Sequence, residues 1–466
     1  MAALLVAAGV CPGDRVAVQA AKTVAMLELY VGTVLAGGVL LPLNPAYTAS
    51  EVGYFLTDAA PRVFVCAPER EAELAPVAGA AGVARLFTLA ADETGTLSEA
   101  RDGCESGFEA VARAPGDLAA ILYTSGTTGR SKGAMLTHRA LASNSQTLRE
   151  IWRFTQADVL IHALPIFHTH GLFVATNVAM MAGASCLFLP GFDAEAIMRL
   201  MPRATALMGV PTFYTRLLDM PGLAAASAGM RLFISGSAPL LADTHARWRD
   251  VTGHAILERY GMTETNMNTS NPHDGERRPG TVGFPLPDVE LRITDPATGA
   301  AVARGEIGVI EVRGPNVFAG YWNMPEKTRE ELRADGWFIT GDLATMDPDG
   351  YVVIVGRSKD LVISGGFNVY PKEVEAEIDA LEGVVESAVV GVPHPDFGEG
   401  VVAVVVTEKG AGVTEDSVKA GIAPRLARFK QPGRVFVIDS LPRNTMGKVQ
   451  KNALREAYAG VFGARP

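Results

Sequence analysis

The sequence predicts an α/β protein: a large N-terminal domain of mixed, largely parallel sheets flanked by helices, and a small α+β domain at the C-terminus. Three observations predict it. Short apolar, β-branched runs bounded by Gly, Pro or Asp alternate with Ala/Leu-rich stretches as far as about Val282. From there VGFPLPDVELRITDPATG, GEIGVIEVRG and GDLATMDPDGYVVIVGR alternate apolar and polar residues between turn signals, the pattern of antiparallel strands and hairpins. A break near Arg357 to Asp360 then precedes VEAEIDAL, VESAVVGVP and VVAVVVTEKG, which together could bury a small core of their own. The expected domains are residues 1–358 and 359–466.

Taken in order, RVAVQA (15–20), AAILYTSG (119–126), DVLIHALP (158–165), ALMGVP (206–211) and RLFISGSAP (231–239) read as buried strands, too uniformly apolar to leave a face in water. MLELYVGTVLAG, THRALASNSQTL and LADTHARWRDVTG read as helices between them. GLFVATNVAMMAGASCLFLPG is uncharged, but Thr176, Asn177, Gly183, Ser185 and Pro190 interrupt it. It reads as a buried helix followed by a buried strand, not a membrane span.

A hydrophobic fraction of 48% with 20% charged residues is that of a soluble globular protein, and 466 residues are too many for one core. The net charge of −10 excludes general attraction to nucleic acid or anionic lipid, so an anionic ligand must meet local positive groups. Cys11, Cys66, Cys104 and Cys186 are far apart and form neither a disulfide scaffold nor a zinc motif, which points to a cytoplasmic location. The pair in His168-Thr169-His170 lacks a carboxylate or cysteine at helical spacing, so it is not read as a metal site.

YTSGTTGRSKGAM (123–135) is the most informative stretch. It fits neither the Walker A spacing nor GxGxxG. Yet its glycines would let backbone N–H groups turn inward, its hydroxyls add donors, and Arg130 and Lys132 bring charge. Following a strand and preceding a helix that starts near Thr137, it reads as a phosphate cradle at a strand–loop–helix corner.

The same stretch resembles the signature loop of the adenylate-forming (acyl-CoA synthetase) superfamily. ERYGMTET (258–265), TGDL (340–343), GRSKDLVISGGFNVYPKEVE (356–375) and PRNTMGK (442–448) resemble its later motifs, in order, over nearly the whole chain. ALPIFHTHGLFVATN, GVPTFYTRL, FISGSAPLLADTH and RYGMTETNMNTSNP resemble the malonyl-CoA synthetases within it. Such proteins begin some tens of residues earlier. LLVAAGVCPGDRVAV, which opens like a helix interior, is therefore expected to follow a missing N-terminal piece. The resemblance also implies that the antiparallel stretch forms a distorted β-barrel.

What the resemblance implies for chemistry is specific. A carboxylate, here malonate, would attack the α-phosphate of ATP, and coenzyme A would then displace AMP. Lys448 would serve the α-phosphate, with Thr263 beside it and Glu264 holding Mg²⁺. Thr124, Ser125, Gly126, Thr127, Thr128, Gly129 and Lys132 would hold the β,γ-phosphates. Ser235, Gly236, Ser237, Ala238, Pro239, Glu258, Tyr260 and Gly261 would line the adenosine site, and Asp342 and Arg357 the ribose. His170, Ser235 and Met262 would border the acyl group. Malonate keeps a second carboxylate, which needs a cation; the expected candidates are Arg216, Arg277 and Arg278. Lys359 would be the hinge of a mobile C-terminal domain, with Gly365, Gly366 and Phe367 facing coenzyme A. A lysine acetyltransferase or deacylase acting on Lys448 is a further expected partner. The alternatives are a ligase for methylmalonate or another short- or medium-chain acid, and a silent nucleotide-binding relative.

Overall fold

The apolar runs of the first part of the chain pair into two sheets. In this computed structural model residues 1–124, 131–364, 367–444 and 447–463 are described. The chain divides into two units, Met1–Leu291 with Val312–Phe338, and Arg292–Glu311 with Ile339–Pro466.

In the first unit, β1 (Arg15–Gln19), β2 (Val39–Pro42), β3 (Val63–Cys66), β4 (Arg85–Thr88), β5 (Leu118–Thr124) and β6 (Lys132–Thr137) form a sheet in the order β4-β3-β1-β2-β5-β6. Its pairings are parallel except that of β5 with β6. The second sheet has the order β13-β12-β11-β10-β9-β7-β8, from β7 (Val159–His162), β8 (Ser185–Phe188), β9 (Ala206–Gly209), β10 (Leu232–Ser235), β11 (Leu257–Met262), β12 (Asn266–Ser270) and β13 (Phe284–Pro285). From β8 to β11 the strands are parallel; β12 and β13 return antiparallel.

The sequence pattern explains the layering. β1, β2, β3, β9 and β10 are buried on both faces, apart from the first residue of β1, as the apolar run of a covered parallel strand requires. β8 departs from the expectation of a buried strand: it lies at the sheet edge with its first two residues exposed, and Met180 and Met181 before it are exposed too. Helix starts follow their caps. Thr23 Oγ1 accepts from Met26 N at 3.2 Å ahead of Val24–Leu35, and Thr137 Oγ1 from Ala140 N at 3.1 Å ahead of His138–Ile151. Trp152, Tyr214, Phe233 and Trp248 fill the core around the second sheet.

β14 (Glu290–Thr294), β15 (Gly308–Arg313), β16 (Phe338–Met346) and β17 (Val352–Arg357), most of whose residues belong to the second unit, make a four-stranded sheet in that order where a distorted barrel was expected. β18 (Val362–Ser364), β19 (Phe367–Val369), β20 (Val384–His394), β21 (Gly398–Thr407) and β22 (Arg434–Ile438) make a second sheet around the long β20–β21 hairpin. Val362, Val374, Ile378, Val389, Val405 and Val418 supply its core, as the valine-rich sequence suggests. Among the described residues no helix is long and apolar enough to cross a membrane.

One polar tie joins the two sheets of the first unit. Lys22, just after β1, donates to His162 Nδ1 at 3.0 Å and His162 O at 2.6 Å, and lies 4.3 Å from the centre of the Phe188 ring. His162 Nε2 then donates to Gly171 O at 3.0 Å. Burial brings the Lys22 ammonium down from 10.5 to about 7, and burial followed by the Lys22 charge takes His162 to about 3. Between pH 7 and 10.5 the unfolded chain binds a proton at Lys22 that the folded chain has lost, so folding stability rises with pH across that window. Denaturant melts at pH 7 and pH 9.5 should show this rise in the parent and a flatter profile in Lys22→Met. Equal rises in both proteins would mean that another group titrates.

Candidate active site

The glycine-rich stretch joins two strands. β5 and β6 form an antiparallel hairpin in register Thr124↔Lys132, and Thr124 Oγ1 donates to Lys132 O at 3.4 Å. The expected strand–loop–helix corner is therefore corrected. KGAMLT has the length and apolar content of a strand and pairs back on β5, so a strand separates the glycine-rich stretch from the helix, which starts at its Thr137 cap as expected. Ser125, Gly126, Thr127, Thr128 and Gly129, with Arg130, lie outside the described residues.

The stem of this hairpin is fixed from several sides. Tyr54 Oη donates to Ser131 O at 2.8 Å and Tyr123 Oη to Asp58 Oδ2 at 2.5 Å. The segment 319–322 runs along the outer edge of β6. Ala319 N donates to Met135 O at 2.8 Å, Met135 N to Gly320 O at 3.0 Å, and Trp322 N to Gly133 O at 2.7 Å. One residue earlier, Phe318 N donates to Glu264 O at 2.8 Å. The stem, Tyr321 and Glu264 are thus sewn together by backbone bonds.

Their side chains meet. Glu264 sits in the turn between β11 and β12, 4% exposed, and its Oε1 accepts from Tyr321 Oη at 3.0 Å. Tyr321 Oη also lies 2.5 Å from Glu331 Oε2. Lys132 Nζ is 3.2 Å from both oxygens of Glu331 and 3.1 Å from Tyr321 Oη. Burial holds the Glu264 carboxyl above the ordinary range, and burial with Glu264 alongside raises Tyr321 well above its own. The buried Glu264 carboxylate offers hard oxygen ligands of the kind Mg²⁺ takes, beside a cluster in which Lys132 already supplies positive charge. Among the described residues no three His, Cys, Asp or Glu gather to hold a metal, so such an ion would take most ligands from phosphate and water. Thr263 is half-buried in the same turn.

A second wall of candidate residues lies at the ends of β10 and β11. Strand alternation turns Arg259 to the face opposite Glu258 and Tyr260. Arg259 is 3% exposed, and its Nε and Nη2 have no partner among the described residues. Its guanidinium packs on the backbone of Gly236, where a Cβ would stand 2.4 Å from Arg259 Cζ; only glycine fits. Next to Gly236, Ser235 Oγ is buried without a partner among the described residues, and Ser237 Oγ is 3.2 Å from His170 Nδ1. His170 is fully buried with Nε2 unpartnered; burial and then the Arg259 charge hold it neutral, well below the ordinary histidine range. Arg259 itself falls to about 9 through burial and still carries its charge at neutral pH. His170 reaches the wall from a turn of π-helix, His170–Thr176, entered through Gly171, where a Cβ would lie 2.1 Å from Pro165 O.

Each of the three expected arginines has a partner of its own. Arg216 is exposed and stacks over Phe192 at 5.6 Å. Arg277 gives its donors to Pro272 O, Ala255 O and His273 O at 3.1, 2.7 and 2.8 Å. Arg278 pairs with Glu276 at 2.9 Å. Sequence reasoning missed Arg259 because it sits inside RYGMTE, where its neighbours Glu258, Tyr260 and Gly261 were read as nucleotide contacts. The available signal was a charge within an otherwise buried strand.

The remaining residues fall as follows. Ala238 and Pro239 continue the loop after β10, and Met262 and Gly261 end β11, with a bulge between Tyr260 and Gly261. Buried Glu258 accepts from Gly280 N at 3.3 Å. In the second unit Asp342 and Arg357 face each other across β16 and β17, paired at 2.9 Å. Lys359 lies in the short helix Ser358–Asp360, and Phe367 stacks on Phe429 at 4.8 Å; Gly365 and Gly366 lie outside the described residues. Lys448 is exposed on a tight hairpin in which its N–H donates to Asn444 Oδ1 at 3.0 Å and Asn444 N donates back to its carbonyl at 2.9 Å.

Comparison with known proteins adds four findings. Residues 1–322 match the AMP-binding enzyme family and residues 373–448 the AMP-binding enzyme C-terminal domain. The fold is similar to the crystal structure of ATP-bound MatB from Rhodopseudomonas palustris, with TM-score 0.97 and 62% identity over 99% of this chain and 92% of that one. A malonate–CoA ligase of Arabidopsis thaliana is 34% identical over 96% of this chain and 79% of its own length. A feruloyl-CoA synthase of Amycolatopsis is 36% identical over 97% of this chain and 90% of its own.

An uncompensated buried cation is costly to the fold. Replacing it by an apolar side chain of similar length, Arg259→Met, should raise unfolding stability by about 1–3 kcal/mol in denaturant melts without ligand. A loss of stability would show that the guanidinium is already well compensated.

Proposed function

We infer that this chain, which belongs to the AMP-binding enzyme family, is an AMP-forming acid–thiol ligase that makes malonyl-CoA from malonate, ATP and coenzyme A. One malonate carboxylate oxygen bonds to the α-phosphorus of ATP, the α–β bridging bond breaks, and pyrophosphate leaves. The coenzyme A sulfur then bonds to the acyl carbon, the bond to AMP breaks, and the thiol proton passes to solvent.

Both partners of the first step are anions, so the protein's task is charge compensation and alignment. Lys132, with the loop it anchors, takes the β,γ-phosphates. Lys448 supplies its compact charge to the α-phosphate, with Thr263 as a donor. A magnesium ion held by Glu264 would neutralise charge on the departing pyrophosphate. Asp342 accepts from the ribose hydroxyls with Arg357 beside it, and Tyr260 stacks on adenine. Lys359 serves as hinge between the two half-reactions, in a domain division at residues 358 and 359. The four separated, free cysteines support a reducing, cytoplasmic location.

The observation that carries a dicarboxylate substrate is Arg259. Its unpaired donors, neutral His170 with a free Nε2, and Ser235 Oγ form a ready partner for the carboxylate that does not react. A fatty or aromatic acid would leave this charge dry and unmatched. Turnover of malonate should therefore be far ahead of ferulate or octanoate. Arg259→Met should raise the malonate KM by about 100-fold while leaving the ATP KM within a few-fold. Preference for ferulate or octanoate in the parent, or an unchanged malonate KM in the variant, would refute the assignment.

A further inference from the structure

Lys132 spends all its donors inside the protein. An ammonium has three N–H groups, and here they meet Glu331 Oε1 and Oε2, both at 3.2 Å, and Tyr321 Oη at 3.1 Å. The ammonium also lies 4.2 Å from the centre of the Tyr321 ring. Both ends of the ion pair are shielded, with side-chain exposures of 15% for Lys132 and 24% for Glu331. A phosphate oxygen can gain Lys132 only by displacing one of these partners.

Glu331 is provided for when that happens. Lys327 Nζ is 3.0 Å from Glu331 Oε1, one helical turn away, and Tyr321 Oη remains on Oε2. The carboxylate keeps a cation after Lys132 leaves, so the exchange costs little. The helix carrying both residues, Pro325–Glu331, is itself fixed to Tyr321, because Tyr321 N donates to Thr328 Oγ1 at 2.8 Å.

We propose that Glu331 is a positioning residue that competes with phosphate oxygens for the Lys132 ammonium, so that Lys132 binds the pyrophosphate end of the nucleotide loosely enough to release it. This rests on the reading of the chain as an AMP-forming ligase. In it, Lys132 transfers between two anions, the fixed carboxylate and the mobile phosphate, and Glu331 reclaims it as pyrophosphate departs. Glutamine at this position keeps the shape and loses the competing charge.

The test begins with the parent protein, whose malonate-dependent formation of AMP and pyrophosphate from ATP is measured first. No such activity overturns the functional reading itself, and this inference with it. In an active parent, Glu331→Gln should lower both the ATP KM and the inhibition constant of pyrophosphate about three- to tenfold, with kcat reduced. Glu331→Asp should return all three toward parental values. In a Lys132→Met background the effect of Glu331→Gln should vanish, because the charge it competes for is gone. Constants within twofold of the parent in a folded Glu331→Gln protein, or an undiminished effect without Lys132, would overturn the inference and leave the function standing.

Discussion

A guanidinium buried with no anion beside it among the described residues is the constraint around which the ends of β10 and β11 are arranged. Arg259 could avoid the cost of dehydration only by reaching water or a carboxylate, and the fold allows it neither. Glycine at 236 lets the loop after β10 close over it, and the π-helical turn brings His170 against the same charge, which keeps that imidazole neutral. The protein thus carries an electrostatic debt that an acid with two carboxylates, and not one, can settle. Specificity of this kind depends on what the wrong substrate leaves unpaired.

The phosphate end uses the opposite strategy. Glu264, Glu331, Tyr321 and Lys132 satisfy one another, and their geometry is held by main-chain bonds from Phe318, Ala319, Gly320 and Trp322. Residues nearly two hundred positions apart in sequence are fixed at hydrogen-bond distance because a short segment lies against β6. A paired network tolerates the absence of ligand at little cost, and a mobile ammonium within it supplies charge on demand.

Much of this was legible beforehand. The parallel strands announced themselves because burial on both faces demands apolar runs, and the valine-rich hairpin of the second unit did the same. Ordered motifs marked Glu264, Asp342 and Lys448 by resemblance. What stayed hidden came from tertiary contact. KGAMLT was read as part of a loop because nothing local distinguishes a six-residue strand from a turn until β5 is beside it. Tyr321 and Glu331 carry no motif of their own. Sequence does not reveal that three carbonyl groups hold Arg277 or that Glu276 pairs with Arg278. Arg259 was concealed by good company, between two residues with other duties.

β6 is the last strand of its sheet, and its outer backbone groups would otherwise lie open to pairing with any extended chain. The segment 319–322 occupies that edge. The contact that places Tyr321 beside Glu264 therefore doubles as protection against self-association. Damage to it would reach the solution behaviour of the protein as well as its chemistry, since a molecule that lost its grip on the phosphate hairpin would also expose a template for aggregation.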